Sequence, residues 1–519
     1  MKKLASYLHN EWKTGTGDGA SLYNPTTEVV IARASSDGLD LGAAVSYARD
    51  IGGAALRELG FAQRGALLAK LSDTIHKRRD ELIALAVENG GNTRGDAKFD
   101  VDGATATLQH YAELGKTLGE RRVIADGPTM QLGRNPRWIG VHAWSSAQGV
   151  AVHVNAYNFP AWNMMEKAAV ALLAGVPVVT KPAQSTLLVA HRIVEAIVED
   201  KVLPAGALSL VSGGIGKLFD ALGPQDAIAF TGSAQTGTKI RTHESVVRHS
   251  VRLNVEADSL NSAVLGPDVE QGSATYEMFL RELAKEVTQK SGQKCTATRR
   301  VFVNEAIAKD VERDLCERLS EVVVGDPSHN EVKMGPLVTA QQLADVRAGI
   351  ATLQKHARVA CGGDRGKVAH AEKGWFIAPT LLVANDAGAA PLHDVEVFGP
   401  VTTLIAYKTP DDAAKLVRRG QGSLVGSVYS DDEPFCESML HGIAAAHGRL
   451  YFGSEKIAEH TFGPGTVLAG LVHGGPGRAG GGEELGGVRG LEHYMQRTAI
   501  QGSKPTVERL LGIAAGGAA

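Results

Sequence analysis

The sequence predicts an α/β protein with two parallel-sheet domains and a small β arm. Three observations carry this. Short apolar runs alternate with amphipathic helical runs between about residues 148 and 256, the alternation resumes after 257, and residues 128–148 alternate in polarity without helical periodicity. Strands interleaved with helices imply parallel pairing through right-handed crossovers, because a tight hairpin cannot join parallel neighbours.

The elements follow in chain order. Beyond the turn YNPTTEV, the first 120 residues read as mainly helical, with amphipathic runs such as FAQRGALLAKLSDTIHKRRDELIALAVENG. VAVHVN (150–155) is a buried strand, AWNMMEKAAVALLAG (161–175) an Ala-rich helix ending at Gly, and VPVVT (176–180) a strand. Then come a helix at TLLVAHRIVEAIVED, strand ALSLV, a short helix after GGIG, strand AIAF and a helix near AQTGTKI. The second unit begins with strand NSAVLG (261–266) and a helix around YEMFLRELAKEVTQK, followed by strand RRVFVN (299–304), a helix through Cys316, and strands VTTLIAY and SLVGSVYS. Domains are therefore expected at 1–124 with 148–256 (Rossmann-like, nucleotide-binding), at 257–480, and at 125–147 with 481–519. The last is an oligomerisation arm and tail. The stretch PTMQLGRNPRWIGVHAWSSAQ is polar enough to pair as exposed strands with another subunit. The last few residues of GIAAGGAA are expected to be mobile.

Composition excludes several classes. A chain of 519 residues suits two or three cores, and a net charge of −3 offers no broad basic field for nucleic acid or membrane. The cysteines, at 295, 316, 361 and 436, lack C-x-x-C pairing, and the 17 histidines form no H-E-x-x-H; no metal site is expected. Four sparse thiols suit a reducing, cytoplasmic protein. MKKLASYLHNEW is too polar to read as a signal peptide, and AAVALLAGVPVV is too short to span a bilayer.

Four motifs carry candidate chemistry, each with a plainer alternative. Cys295, in SGQKCTA, is either a packing thiol or a nucleophile whose Gly-marked loop lets backbone approach a carbonyl. Glu256 closes RHSVRLNVE and is either a solvated strand-end carboxylate or a water activator, the latter if burial lifts its pKa toward neutrality. Asn158, in NAYNFPAWN, either makes an Asx turn or aims its amide at an oxyanion. VPVVTKPAQST sets Lys181, Pro182, Gln184 and Ser185 at the carboxyl end of a strand, where open α/β sheets bind ligands. FTGSAQTG sets Thr231, Gly232, Ser233 and Gly237 between a strand and a helix, so that backbone N–H groups can meet a pyrophosphate; it is neither G-x-G-x-x-G nor a Walker loop, and an ordinary turn remains open.

Taken in order, YNPTTE, NFP at 158–160, KPA at 181–183, FTGS at 230–233, Glu256, GQKC at 292–295 and EVFGPV at 396–401 resemble the aldehyde dehydrogenase superfamily over nearly the whole chain. The resemblance implies the aldehyde dehydrogenase fold and assigns roles. Cys295 would be the nucleophile, Asn158 with the Cys295 N–H the oxyanion donors, and Glu256 the base that releases the acid; Lys167 and Glu484 would join a proton relay. Glu396 and Phe398 would hold the nicotinamide ribose and ring, and Lys181 the adenosine ribose. Departures from the family pattern refine this. Many relatives have a glutamate at Gln184; its neutral amide removes repulsion of a 2′-phosphate and, with Lys181, implies NADP over NAD. Ala257, Asp258 and Ser259 replace Leu-Gly-Gly, so Asp258 is expected to perturb Glu256 by like-charge repulsion, and Tyr157 replaces a tryptophan.

These departures, with the ending GGPGRAGGGEELGGVRGLEHYMQRTAIQG, resemble the subgroup that oxidises acyl-CoA-linked semialdehydes in aerobic benzoate and phenylacetate degradation. The implied substrate is 3,4-dehydroadipyl-CoA semialdehyde and the implied assembly a homodimer, with a tetramer as the alternative. The other readings are a general aliphatic or aromatic aldehyde dehydrogenase, a CoA-acylating dehydrogenase, against which Glu256 argues, and a crystallin-like structural relative, against which the retained Cys295 and Glu256 argue.

Overall fold

A computed structural model describes residues 2–513; the last residues of the tail, for which mobility was expected, lie outside the described residues. The described residues hold two seven-stranded sheets, two three-stranded ones and a two-stranded one. In the first, Arg252–Glu256, Ala227–Thr231, Ala151–Val154, Val178–Lys181 and Leu208–Leu210 run parallel in that order. The register pairs Thr231 with Glu256 and Val154 with Lys181, so these candidate residues finish along one edge. In the second sheet, Thr380–Ala384, Val401–Tyr407, Arg300–Asn304, Ser262–Leu265, Ser423–Tyr429 and His447–Gly453 are parallel, with Ala357–Cys361 antiparallel at one side.

The first 34 residues hold five short strands; of these only Val30–Ala34 lies beyond the YNPTTEV turn, where helix was expected. Ser6–Leu8 and Glu11–Lys13 form a hairpin whose central residues, His9 and Asn10, both take positive φ (57° and 61°). That is the two-residue turn whose twist matches a hairpin, and it extends the first sheet by two antiparallel strands. Helices then dominate from Leu41 to Leu118. The arm pairs Val123–Gln131 with Trp138–Ser146, and Met495–Ser503 adds along the other side of the latter strand.

Helix Trp162–Ala174 is buried along its whole length and stops at Gly175, whose φ of 86° suits glycine. Pro160 and Ala161 offer no side-chain cap, so Asp100 of helix Arg94–Leu118 supplies one: its carboxylate accepts from the Trp162 N–H at 2.9 Å and the Ala161 N–H at 3.2 Å. The Trp162 indole N–H donates to Thr107 Oγ1 at 3.0 Å, and its ring packs edge-on against Phe99 and Phe159. The ring lies directly over Gly103 of the same supporting helix, where any Cβ would penetrate it.

Gly103→Ala decides between two effects of opposite sign. Helix propensity favours Ala by about 1 kcal/mol, whereas overpacking against an immobilised ring costs about 1–3 kcal/mol. The melting temperature of G103A is expected to fall; a rise would show that the Trp162 contact yields easily.

Candidate active site

The cysteine loop is built from an unusual run of left-handed backbone: Lys290, Ser291 and Gly292 have φ of 53°, 56° and 66°. Gly292 is required there, because a Cβ would collide with the Gly399 carbonyl. Buried Arg299 fixes the loop, donating to the carbonyls of Gly399 at 2.7 Å, Gly292 at 2.9 Å and Lys294 at 3.2 Å. Its guanidinium also lies 5.3 Å from the centre of the Phe398 ring. Asn261 donates to the Cys295 carbonyl at 2.7 Å and to the Ala297 carbonyl at 2.9 Å. Among the described residues the Cys295 N–H has no hydrogen-bond partner, which leaves it available to a ligand.

Cys295, Glu256 and Asn158 line one cavity together with Glu166, Thr296 and His473. Asn158 is buried, and its amide makes no hydrogen bond within the described residues. Burial pushes the Cys295 thiol well above its ordinary pKa, and the Glu256 carboxylate pushes it the same way. Both influences favour a neutral Cys295 thiol beside the Glu256 carboxylate.

Glu256 behaves differently from the sequence expectation. Burial is the largest influence and pushes its pKa up, but His473, with Nε2 3.1 Å from Oε2, together with Lys167 and the Cys295 thiol holds the carboxylate below its ordinary value. His473 correspondingly is held above the usual histidine value despite burial, through the Glu256 charge. The expected repulsion from Asp258 is also corrected. Asp258 is engaged by Arg478, whose Nε donates at 2.8 Å, and its charge is felt at Glu396.

Behind the cavity Lys167 bridges two carboxylates, 3.0 Å from Glu484 Oε2 and 3.4 Å from Glu166 Oε1. Burial opposes its charge, but Glu484 and Glu166 outweigh it and push the pKa up. Asn254 donates to Glu484 Oε1 at 2.9 Å and Asn163 to Glu166 Oε1 at 2.8 Å. Glu484 sits opposite His473 in the two-stranded hairpin Val472–Gly474 with Glu483–Leu485. Sequence reasoning missed Glu166 and His473. Glu166 adjoins Lys167 in MMEKAA, whereas His473 lies far along the chain in a Gly-rich segment that gives no local signal.

The second group gathers at the carboxyl edge of the first sheet. Lys181 is at the end of its strand with no acidic partner among the described residues, and burial lowers its pKa. Gln184 turns its amide to the Ala34 carbonyl at 3.5 Å; the Ser185 carbonyl accepts from Asn89 at 2.8 Å, and Pro182 leads into that turn. Ser233 caps helix Ala234–Arg241, its hydroxyl accepting from the Thr236 N–H at 3.3 Å. One expectation fails here: the Gly232 N–H donates to the Glu256 carbonyl at 3.1 Å, and the Gly237 N–H to the Ser233 carbonyl at 2.9 Å, so neither is free for a pyrophosphate. Gly232 and Gly237 act by compactness, each packed against Phe230. Glu396 and Phe398 belong to the segment that Arg299 ties to the cysteine loop and are not among the residues lining the Cys295 cavity; burial pushes the Glu396 carboxyl up to about 8, with Arg299 opposing.

The sequence profile of the aldehyde dehydrogenase family matches residues 12–500. The chain is 43% identical over 478 residues to a 3,4-dehydroadipyl-CoA semialdehyde dehydrogenase of Aromatoleum evansii, covering 91% of this chain and 93% of that one. It is 27% identical to a betaine aldehyde dehydrogenase of Bacillus subtilis, with 96% and 97% covered. Among solved structures, a betaine aldehyde dehydrogenase from Staphylococcus aureus in complex with NAD+ superposes with a TM-score of 0.85 at 21% identity, covering 96% of this chain and 95% of that one. At that identity the likeness speaks for the fold. The chain belongs to the aldehyde dehydrogenase family.

Proposed function

We propose that this chain is an NADP-preferring, hydrolytic aldehyde dehydrogenase whose substrate is a semialdehyde carried on an acyl-CoA. The observation that carries the mechanism is the convergence of Cys295, Glu256 and the unengaged Asn158 amide on one cavity. The substrate class follows the Aromatoleum relative, whose name specifies 3,4-dehydroadipyl-CoA semialdehyde; aerobic benzoate degradation is the corresponding context.

Cys295 Sγ adds to the aldehyde carbon, and its proton passes to the Glu256 carboxylate. The Asn158 amide and the Cys295 N–H receive the developing oxyanion, the kind of preorganised donor pair worth about 3–4 kcal/mol per donor. When bound, a nicotinamide dinucleotide would accept the hydride that the thiohemiacetal carbon gives up on becoming a thioester. Glu256 first releases the thiol's proton, then takes one from the water that attacks the thioester, and the acid leaves as the Cys295 thiolate regains a proton. The Lys167, Glu166 and Glu484 cluster lies behind Glu256 as the path by which its proton exits. The residues present fit such a cofactor. Lys181 offers a cation without an acidic partner, and neutral Gln184 carries no charge to repel a 2′-phosphate, which supports NADP. Glu396 and Phe398 would take the nicotinamide side. The arm sheet, exposed along Val123–Gln131, is the surface through which we expect a homodimer to form. Four free cysteines support a cytoplasmic location, and no helix among the described residues is long and apolar enough to cross a membrane.

Reduced-nicotinamide absorbance with NADP or NAD, and with a simple aliphatic aldehyde or the CoA-linked semialdehyde, tests this reading. Turnover should favour NADP and the CoA-linked substrate and fall by about 10⁴-fold or more in Cys295→Ala. Equal turnover of the simple aldehyde removes the substrate assignment, and activity surviving in the variant removes the mechanism.

Glu396 gives a pH signature. Its raised pKa keeps the carboxyl neutral until pH rises through about 8, and only the carboxylate accepts well from two ribose hydroxyls. Cofactor affinity should therefore tighten as pH rises through that value, and Glu396→Gln should bind weakly with no such dependence. An identical pH profile in both proteins would exclude Glu396 from cofactor binding.

A further inference from the structure

The geometry points to a second use of the cavity: Cys295 Sγ, His473 Nε2 and the Glu256 carboxylate form a site for a thiophilic divalent cation of the zinc class, which silences the nucleophile reversibly. The ligand atoms of these three residues lie within 4.8 Å of one another. Tetrahedral zinc bound by sulfur and nitrogen requires ligand separations of about 3.3–3.8 Å. His473 Nε2 and Glu256 Oε2, 3.1 Å apart, nearly match one such edge.

A second observation points to a ligand independently. Glu256 is buried at 2% exposure, yet neither of its carboxylate oxygens has a hydrogen-bond partner. Oε2 is ion-paired with His473 Nε2 at 3.1 Å. A buried carboxylate with so few donors is costly unless something occupies the space it faces. Around it three carboxylates, Glu256, Glu166 and Glu484, stand against two cations, Lys167 and His473. Nitrogen and sulfur donors select zinc, cadmium or cobalt over magnesium or calcium, which take oxygen ligands.

The donors are preorganised from three places in the fold. Glu256 ends a strand registered on Thr231, Cys295 is anchored through its carbonyl by Asn261, and His473 is held in the hairpin opposite Glu484. Binding is an exchange: metal–sulfur and metal–nitrogen bonds form, the Cys295 S–H and His473 Nε2–H bonds break, and both protons leave to solvent with no change in oxidation state. A metal-held thiolate cannot attack an aldehyde, so the cation competes with substrate. That consequence, unlike binding itself, rests on the reading of Cys295 as the nucleophile. The other cluster of metal-binding residue types, exposed His329, Glu331 and His370, stacks its imidazoles 4.0 Å apart with planes only 13° from parallel. Their in-plane lone pairs do not converge, and this cluster serves as the control.

Cobalt(II) titration of the chelator-washed full-length enzyme tests the site, because a thiolate ligand produces a charge-transfer band in the near ultraviolet. One equivalent should generate the band, zinc should abolish it by displacement, and His370→Ala should retain it. Cys295→Ser should lack the band, and His473→Phe should weaken cobalt binding at least about tenfold. Iodoacetamide-treated wild type, which needs no new variant to fold, should also lack it. Absence of the band in wild type, or unchanged affinity in H473F, overturns the site. Zinc should raise the aldehyde KM in turnover, reversed by a chelator. A normal cobalt band with zinc-insensitive turnover would uphold the site and overturn the catalytic reading of Cys295.

Discussion

Buried Arg299 donates to the carbonyls of Gly399, Gly292 and Lys294, and the candidate site depends on this tie. It joins the loop that presents Cys295 to the segment that presents Glu396 and Phe398, two stretches about a hundred residues apart in sequence. Hydrogen bonds from a charged donor contribute about 1.5–3 kcal/mol each. Burial lowers the Arg299 pKa, while Glu396 opposes the shift, so the pair stabilise each other's charged forms. Gly292 is the counterpart: its missing Cβ is what allows Gly399 to approach closely enough for the guanidinium to bridge both.

Behind that tie sits an electrostatic arrangement in which burial and pairing oppose each other residue by residue. Burial alone would neutralise Glu256, Lys167 and His473 together. Instead Lys167 is kept charged by Glu484 and Glu166, and His473 and Glu256 are kept charged by each other. At Cys295 burial and the Glu256 and Glu166 carboxylates outweigh Lys294 and favour the thiol. The site thus stores a base next to an acid that has not yet reacted, the state required before an aldehyde arrives.

The parallel sheets were legible because apolar runs alternating with helical ones leave little other choice, and the same rhythm put Lys181, Thr231 and Glu256 at strand ends. The site's ordered motifs were legible as a family resemblance. What escaped was set by contacts distant in sequence. His473 looks like one histidine in a glycine-rich loop until the hairpin with Glu484 swings it onto Glu256, reversing the expected shift of that carboxylate. Gly232 looked like a phosphate-binding amide, but pairing with the neighbouring strand consumes its N–H. Asp258 looked like a perturbing charge until Arg478, 220 residues away in sequence, neutralised it. The N-terminal hairpin escaped because its turn, His-Asn, lacks the glycine that usually marks positive φ.

The claim on which the account turns is that Cys295 becomes an acyl thioester that Glu256 helps water to release. The most direct measurement is a single turnover of Glu256→Gln with aldehyde and NADP at alkaline pH, where solvent hydroxide removes the Cys295 proton that Glu256 would otherwise take, quenched within the first seconds and analysed by mass spectrometry of the peptide bearing Cys295. The account predicts near-stoichiometric acylation of Cys295 matching the amount of cofactor reduced. Cofactor reduction with an unmodified Cys295 peptide, in a variant that turns over no faster than the quench, would contradict it.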